Sequence, residues 1–101
     1  MGSEKSYQNV RVGLGWYRPE QWTRLLEVSV DRDALEDTHA EWAKGAAEAM
    51  RELRARGVTV EKIDVEVEEL VQWCLDRGLM VDSRARSNFA AEKLLQRQET
   101  T

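Results

Sequence analysis

Chemistry in this chain has few places to come from, and the densest is the run Gly13-Leu14-Gly15-Trp16-Tyr17-Arg18. Gly13 and Gly15 would let the backbone approach an anion, a helix after Pro19 would point free amides at it, and Arg18 would clamp it. Trp16 and Tyr17 would stack on a flat ligand. Arg84 and Arg86, in "SRARSN", would join this candidate ligand or anion site if the fold brings them near. The plainer reading is a sharp bend at Gly15, where a strand hands over to a helix and the rings and guanidinium gather at one corner as part of a small core. G-x-G lacks the third glycine of a dinucleotide fingerprint and the long loop of a phosphate-binding ATPase. Structure is therefore the first reading and ligand binding the second.

Nucleophilic catalysis would need a thiolate beside a base. The chain has one cysteine, Cys74, and one histidine, His39. Cys74 falls in an apolar helical stripe, where a free thiol behaves as a small hydrophobe, and His39 is expected on an exposed first helical turn. No catalytic residue is assigned. One Cys and one His cannot supply a zinc site without carboxylates. The acidic run Glu61, Asp64, Glu66, Glu68, Glu69 lacks the glycine and ligand spacing of a calcium loop, so no metal site or cofactor is expected. It reads as a solvated strand end and first helical turn.

Four tryptophans are many for 101 residues. Trp22 and Trp42 lie on apolar helical faces and read as core. Trp16 and Tyr17, at the turn, and Trp73, at the edge of its stripe, have the positions that interfaces enrich in aromatics. These three are the candidate partner surface.

The elements that must position these residues follow from periodicity. Val10, Val12 and Leu14 alternate as the buried side of a strand. Pro19 opens a short helix through Trp22, Leu25 and Leu26; Val30 and Leu35 would anchor the following polar loop. Thr38 and Glu41 form a capping box for a helix along Trp42, Ala46, Ala49, Met50 and Leu53, ended by Gly57. Gly45 with its neighbouring alanines suggests that another backbone packs closely there. "VTVEKIDV" is a second strand whose apolar phase slips between Val60 and Ile63, which a bulge or a change of face near Glu61–Lys62 would reconcile. Val67, Leu70, Val71, Cys74 and Leu75 trace a third helix closed by Gly78. Asp82 or Ser83 caps a fourth carrying Ala85, Phe89, Ala90 and Leu94, with Leu95 as a further candidate, and Asp82 is spaced to pair with Arg86. The fold class is α+β, predominantly helical, in the order strand, helix, helix, strand, helix, helix; an all-α bundle is the alternative. Residues 9–98 read as one domain, and residues 1–8 as a disordered leader or tag remnant. "MGSEKS" also fits a myristoylation pattern through Gly2 and Ser6. Two strands alone are marginal, so helices cover them or an open edge meets a second copy.

Composition narrows function mainly by exclusion. A net charge of −4 with both signs interspersed is not the basic surface of a nucleic-acid binder. No apolar run is long enough to span a membrane. A lone cysteine suits a reducing cytoplasm.

"GLGWYR", "WTRLL", "LEDTHAEW" and "VQWCLDRGLMVDSRARSNFA" together resemble a family of small, uncharacterised bacterial cytoplasmic proteins of about this length. The resemblance covers Val12 to Leu94 and is most specific at Trp16-Tyr17-Arg18, at Thr38 with Trp42, and at Trp73-Cys74 with Gly78 and the Asp82 to Arg86 segment. It implies a bacterial cytoplasmic protein and brings no activity or cofactor. An aromatic often stands in that family where this chain has His39, which speaks against His39 as a shared catalytic group. The expectation is a non-enzymatic binding or interaction module that self-associates as a dimer or meets a protein partner. The alternative is a small-ligand or anion-binding protein, conceivably an enzyme, that uses the Gly15–Arg18 turn.

Overall fold

The computed structural model describes residues 10–99. The leader expected over residues 1–8, with Gly2 and Ser6, lies outside the described residues. β1 (Arg11–Trp16) and β2 (Thr59–Asp64) pair in parallel, Arg11 opposite Thr59 and Trp16 opposite Asp64. A parallel pair needs a long crossover. It runs through a 3₁₀ turn (Pro19–Gln21), α1 (Trp22–Val28), a second 3₁₀ turn (Arg32–Ala34) and α2 (His39–Ala55). After β2 come α3 (Val67–Asp76) and α4 (Ser83–Glu99). The class is α+β in the expected order, not an all-α bundle.

Local chemistry sets most of the helix ends. Thr38 Oγ1 accepts the Glu41 amide at 3.2 Å, and its hydroxyl donates to the Glu41 carboxylate instead of leaving that carboxylate to reach back to the Thr38 amide. Asp82 Oδ1 accepts the Ala85 amide at 2.9 Å and so caps α4. The Val67 amide at the start of α3 donates to Gln21 Oε1 at 2.7 Å, so a side chain from the crossover caps a helix 46 positions away. Gly57 and Gly78 follow α2 and α3 with φ of 87° and 66°, the left-handed conformation that stops a helix cheaply only at glycine.

The strands are buried differently from the expectation. α4 packs on the glycine side of β1, not on the side of Val12 and Leu14. A Cβ on Gly13 would stand 2.9 Å from the Ala90 backbone oxygen and 3.2 Å from Ile63 and Leu94. Ile63, Ala90 and Leu94 are buried together there, whereas Val10 is 40% exposed and Val12 and Leu14 are half-buried. α2 crosses the other side obliquely: Trp42 meets Trp16 at the end of β1, and Arg54 donates to the Val60 carbonyl on β2 at 3.1 Å. β2 needs no bulge, because its register is unbroken. Its apolar phase changes because Val60 faces one side and Ile63 the other, and both sides of this parallel sheet are covered.

The main core lies beyond the strand ends, where Tyr17, Trp22, Leu25, Val65, Val67, Leu70, Cys74 and Phe89 pack together. The close approach expected at Gly45 is absent: no heavy atom lies within 4 Å of a Cβ placed there, and Ala49 is exposed. Among the described residues no helix is long and apolar enough to cross a membrane.

Candidate functional site

β1 does not bend at Gly15. It stays a strand through Trp16, Arg18 is still extended at φ −76° and ψ 154°, and the turn comes with Pro19. The Trp16 and Tyr17 rings both pack against Trp42, while Arg18 turns away to the carboxylates of Glu20, Asp64 and Glu66, so the guanidinium does not join the rings at one corner. The Trp16 ring lies 5.0 Å from Trp42, with Lys62 Nζ 4.0 Å over it. Tyr17 is buried, its ring 5.2 Å from Trp42 and 6.1 Å from Trp22. Tyr17 therefore packs mainly as a core residue, with only 6% of it exposed.

Arg18 turns to solvent and is fully engaged. Its guanidinium donates to Glu20 at 2.9 Å, Asp64 at 2.7 Å and Glu66 at 2.6 Å. These bonds, Glu20's foremost, raise it further above its ordinary pKa. An anion would have to displace three carboxylates. Arg86 is also engaged: it grips Asp31 with both terminal nitrogens, at 2.9 and 2.7 Å, and donates to Ser29 Oγ at 3.1 Å. Its side chain is 11% exposed, and its bonds hold the Asp31 carboxyl below the usual carboxylate range. The expected Asp82–Arg86 pair is absent because Asp82 caps α4. Arg84 is exposed.

A groove of about 210 Å³ follows the edge of β1 that faces away from β2, lined by Gly13, Leu14, Gly15, Tyr17, Trp42, Ser83, Arg86 and Ser87. Four of the candidate ligand residues, Gly13, Gly15, Tyr17 and Arg86, thus meet in it. Trp16, Arg18 and Arg84 do not line it. Burial pushes the Tyr17 phenol up to about 12, partly offset by Arg86.

Trp73 is half-buried, edge-on to Phe89 at 5.6 Å, with the Arg77 guanidinium 4.3 Å over its face and Nε1 donating to Glu92 at 3.1 Å. It lines a second hollow of about 230 Å³ between α3 and α4, rimmed by Glu69, Arg77, Glu92 and Lys93. Mixed charges at that rim neutralise one another through the Arg77–Glu92 and Lys93–Glu69 pairs.

His39 is half-buried, not exposed. Its Nε2 lies 2.6 Å from the Tyr17 carbonyl, an atom that can only accept, so Nε2 carries the proton. Cys74 is 1% exposed, its thiol donating weakly to the Met80 carbonyl at 3.9 Å, and burial pushes its pKa up. Neither group is a hydrogen-bond partner of the other, and a buried, protonated thiol is not a nucleophile. The acidic run is spent on ion pairs: Glu61 with Arg11 and Arg97, Asp64 and Glu66 with Arg18, Glu68 with Arg24, Glu69 with Lys93.

One feature escaped the sequence reading. Val30, Leu75, Leu79 and Met80 are 59%, 67%, 44% and 68% exposed. Leu75, Leu79 and Met80 surround the stop of α3 at Gly78, with the Leu79 amide bonded to the Cys74 carbonyl at 2.9 Å. The Val30 amide donates to the Val81 carbonyl at 2.9 Å, which ties Val30 to the residue that follows Met80. Val30 was expected to anchor a loop and Leu75 to lie in a buried stripe; both instead project to solvent at this end. The available signal was the Leu79-Met80 pair just past a helix-stopping glycine, where a polar turn is usual. Comparison of the chain with protein-family models, curated proteins and solved structures finds no match.

Proposed function

We propose that this protein is a non-enzymatic interaction module that self-associates, with two copies meeting through the apolar end formed by Val30, Leu75, Leu79 and Met80. The observation that carries the reading is the exposure of these four large apolar side chains, with Leu75, Leu79 and Met80 around the stop of α3 and Val30 on the segment bonded to Val81. Contiguous exposed apolar surface marks interaction sites. A second copy is a natural occupant, because a two-fold axis lays an apolar patch on its own equivalent. The alternative, a ligand or anion site at β1, has less behind it, since Arg18 and Arg86 are already bound by carboxylates.

The reading includes a bacterial cytoplasmic setting and no nucleic-acid partner or cofactor. The sequence resemblance, a lone buried cysteine and a net charge of −4 support it. Light scattering over a dilution series tests it: a mass of two chains that falls to one on dilution is expected, and a single-chain mass at every concentration overturns it.

A further inference from the structure

In a parallel ladder each strand turns the N–H and C=O of alternate residues toward its neighbour. The Thr59 amide donates to the Val10 carbonyl and the Val65 amide to the Trp16 carbonyl, both at 3.0 Å, so the even-numbered residues of β1 face β2. Arg11, Gly13, Gly15 and Tyr17 therefore turn their backbone groups outward. His39 satisfies the Tyr17 carbonyl. Among the described residues nothing bonds the outward groups of Arg11, Gly13 and Gly15. The two edges of the sheet differ: on β2, Arg54 takes the outward Val60 carbonyl, and Lys62 and Asp64 add charge of the kind that discourages pairing. The edge of β1 instead carries two glycines and opens into the groove between Trp42 and the first turns of α4.

We propose that this groove receives an extended segment of a partner polypeptide, added to β1 as a third strand. This goes beyond self-association and uses a different surface. An unpaired row of backbone donors and acceptors recognises another extended backbone, with pockets for alternate side chains giving selectivity. Here one wall is apolar, Leu14 and Trp42, and the other is polar, Ser83 and Ser87. The segment that fits alternates apolar with small polar residues. The β1 of a second folded copy does not fit. α4 sits directly on β1, with Ala90 against Gly13, and paired strands lie only about 4.8 Å apart. Two α4 helices would then be forced closer than the roughly 8–10 Å at which helices pack.

The test titrates the ¹⁵N-labelled full chain with the capped heptapeptide Val-Ser-Val-Ser-Val-Ser-Val and with two analogues, one N-methylated at every valine and one at every serine. The Gly13 and Gly15 amides are expected to shift downfield and to slow in exchange by about tenfold. One analogue, whose methyls face β1, should lose binding while the other keeps it. Ser87→Trp, which fills the groove from an exposed helical position, should abolish the shifts while the spectrum stays dispersed. The proposal is overturned if both glycine amides stay still, if both analogues bind alike, if the shifts map to Leu79 and Met80, or if the two amides are already protected in the free chain.

Discussion

Gly13 lies so close beneath Ala90 that a Cβ on it would stand 2.9 Å from the Ala90 backbone oxygen. This contact seats α4 on the sheet and leaves no room for a side chain. Gly13→Ala must push helix and strand apart, at a cost of about 1–3 kcal/mol. Gly45 is the counterexample, mid-helix with open space around it, so Gly45→Ala should stabilise by about 1 kcal/mol through helix propensity. Urea unfolding of the two variants measures both; equal effects of the same sign would contradict the packing described.

Asp31 and Arg86 tie the loop after α1 to α4. The Asp31 pKa is depressed in the folded state, so folding releases protons and the pair's contribution is complete above the unfolded value of about 3.9. It fades as pH falls through that value to the lower folded one. Asp31→Ala leaves a nearly buried guanidinium without its counter-charge and should cost about 3 kcal/mol at neutral pH. The gap between variant and wild type should narrow in acid, as read from thermal unfolding between pH 7 and pH 2.

Arg18 binds three carboxylates, yet all of its partners are exposed. Surface pairs contribute little, so Arg18→Ala should leave the urea unfolding midpoint nearly unchanged. Phosphate, sulfate and nucleotides should leave the melting temperature of the wild type unmoved. An anion that raises it, with the rise lost in Arg18→Ala, would restore the ligand reading of this stretch.

Cys74 is sealed in the core with its thiol protonated. A disulfide-exchange reagent should label it only as fast as the protein opens, and urea should accelerate labelling in step with unfolding. Immediate stoichiometric labelling of the native protein would show a reactive surface thiol instead.

The helix ends were legible because their causes are local: Thr38 and Asp82 cap helices within three residues of themselves, and Gly57 and Gly78 stop them in place. The buried side of β1 was not legible. Its contact is made by the absence of side chains at Gly13 and Gly15, which leaves no apolar periodicity to read. Arg18 has the same difficulty in reverse, because Asp64 and Glu66 reach it from 46 and 48 positions away. The clustering of Trp16, Trp22 and Trp42 from three separate elements likewise has no signature in spacing. At Val30 and Met80 the pattern counted apolar residues correctly but could not tell that the chain folds them outward.

Sedimentation equilibrium on wild type and on the double variant Leu79→Glu/Met80→Glu addresses the self-association reading most directly. Both residues are exposed, so the charges should leave the melting temperature nearly unchanged while placing like charges across the proposed two-fold contact. The account predicts a dimer for wild type and a monomer for the variant. Equal masses for the two proteins would contradict it.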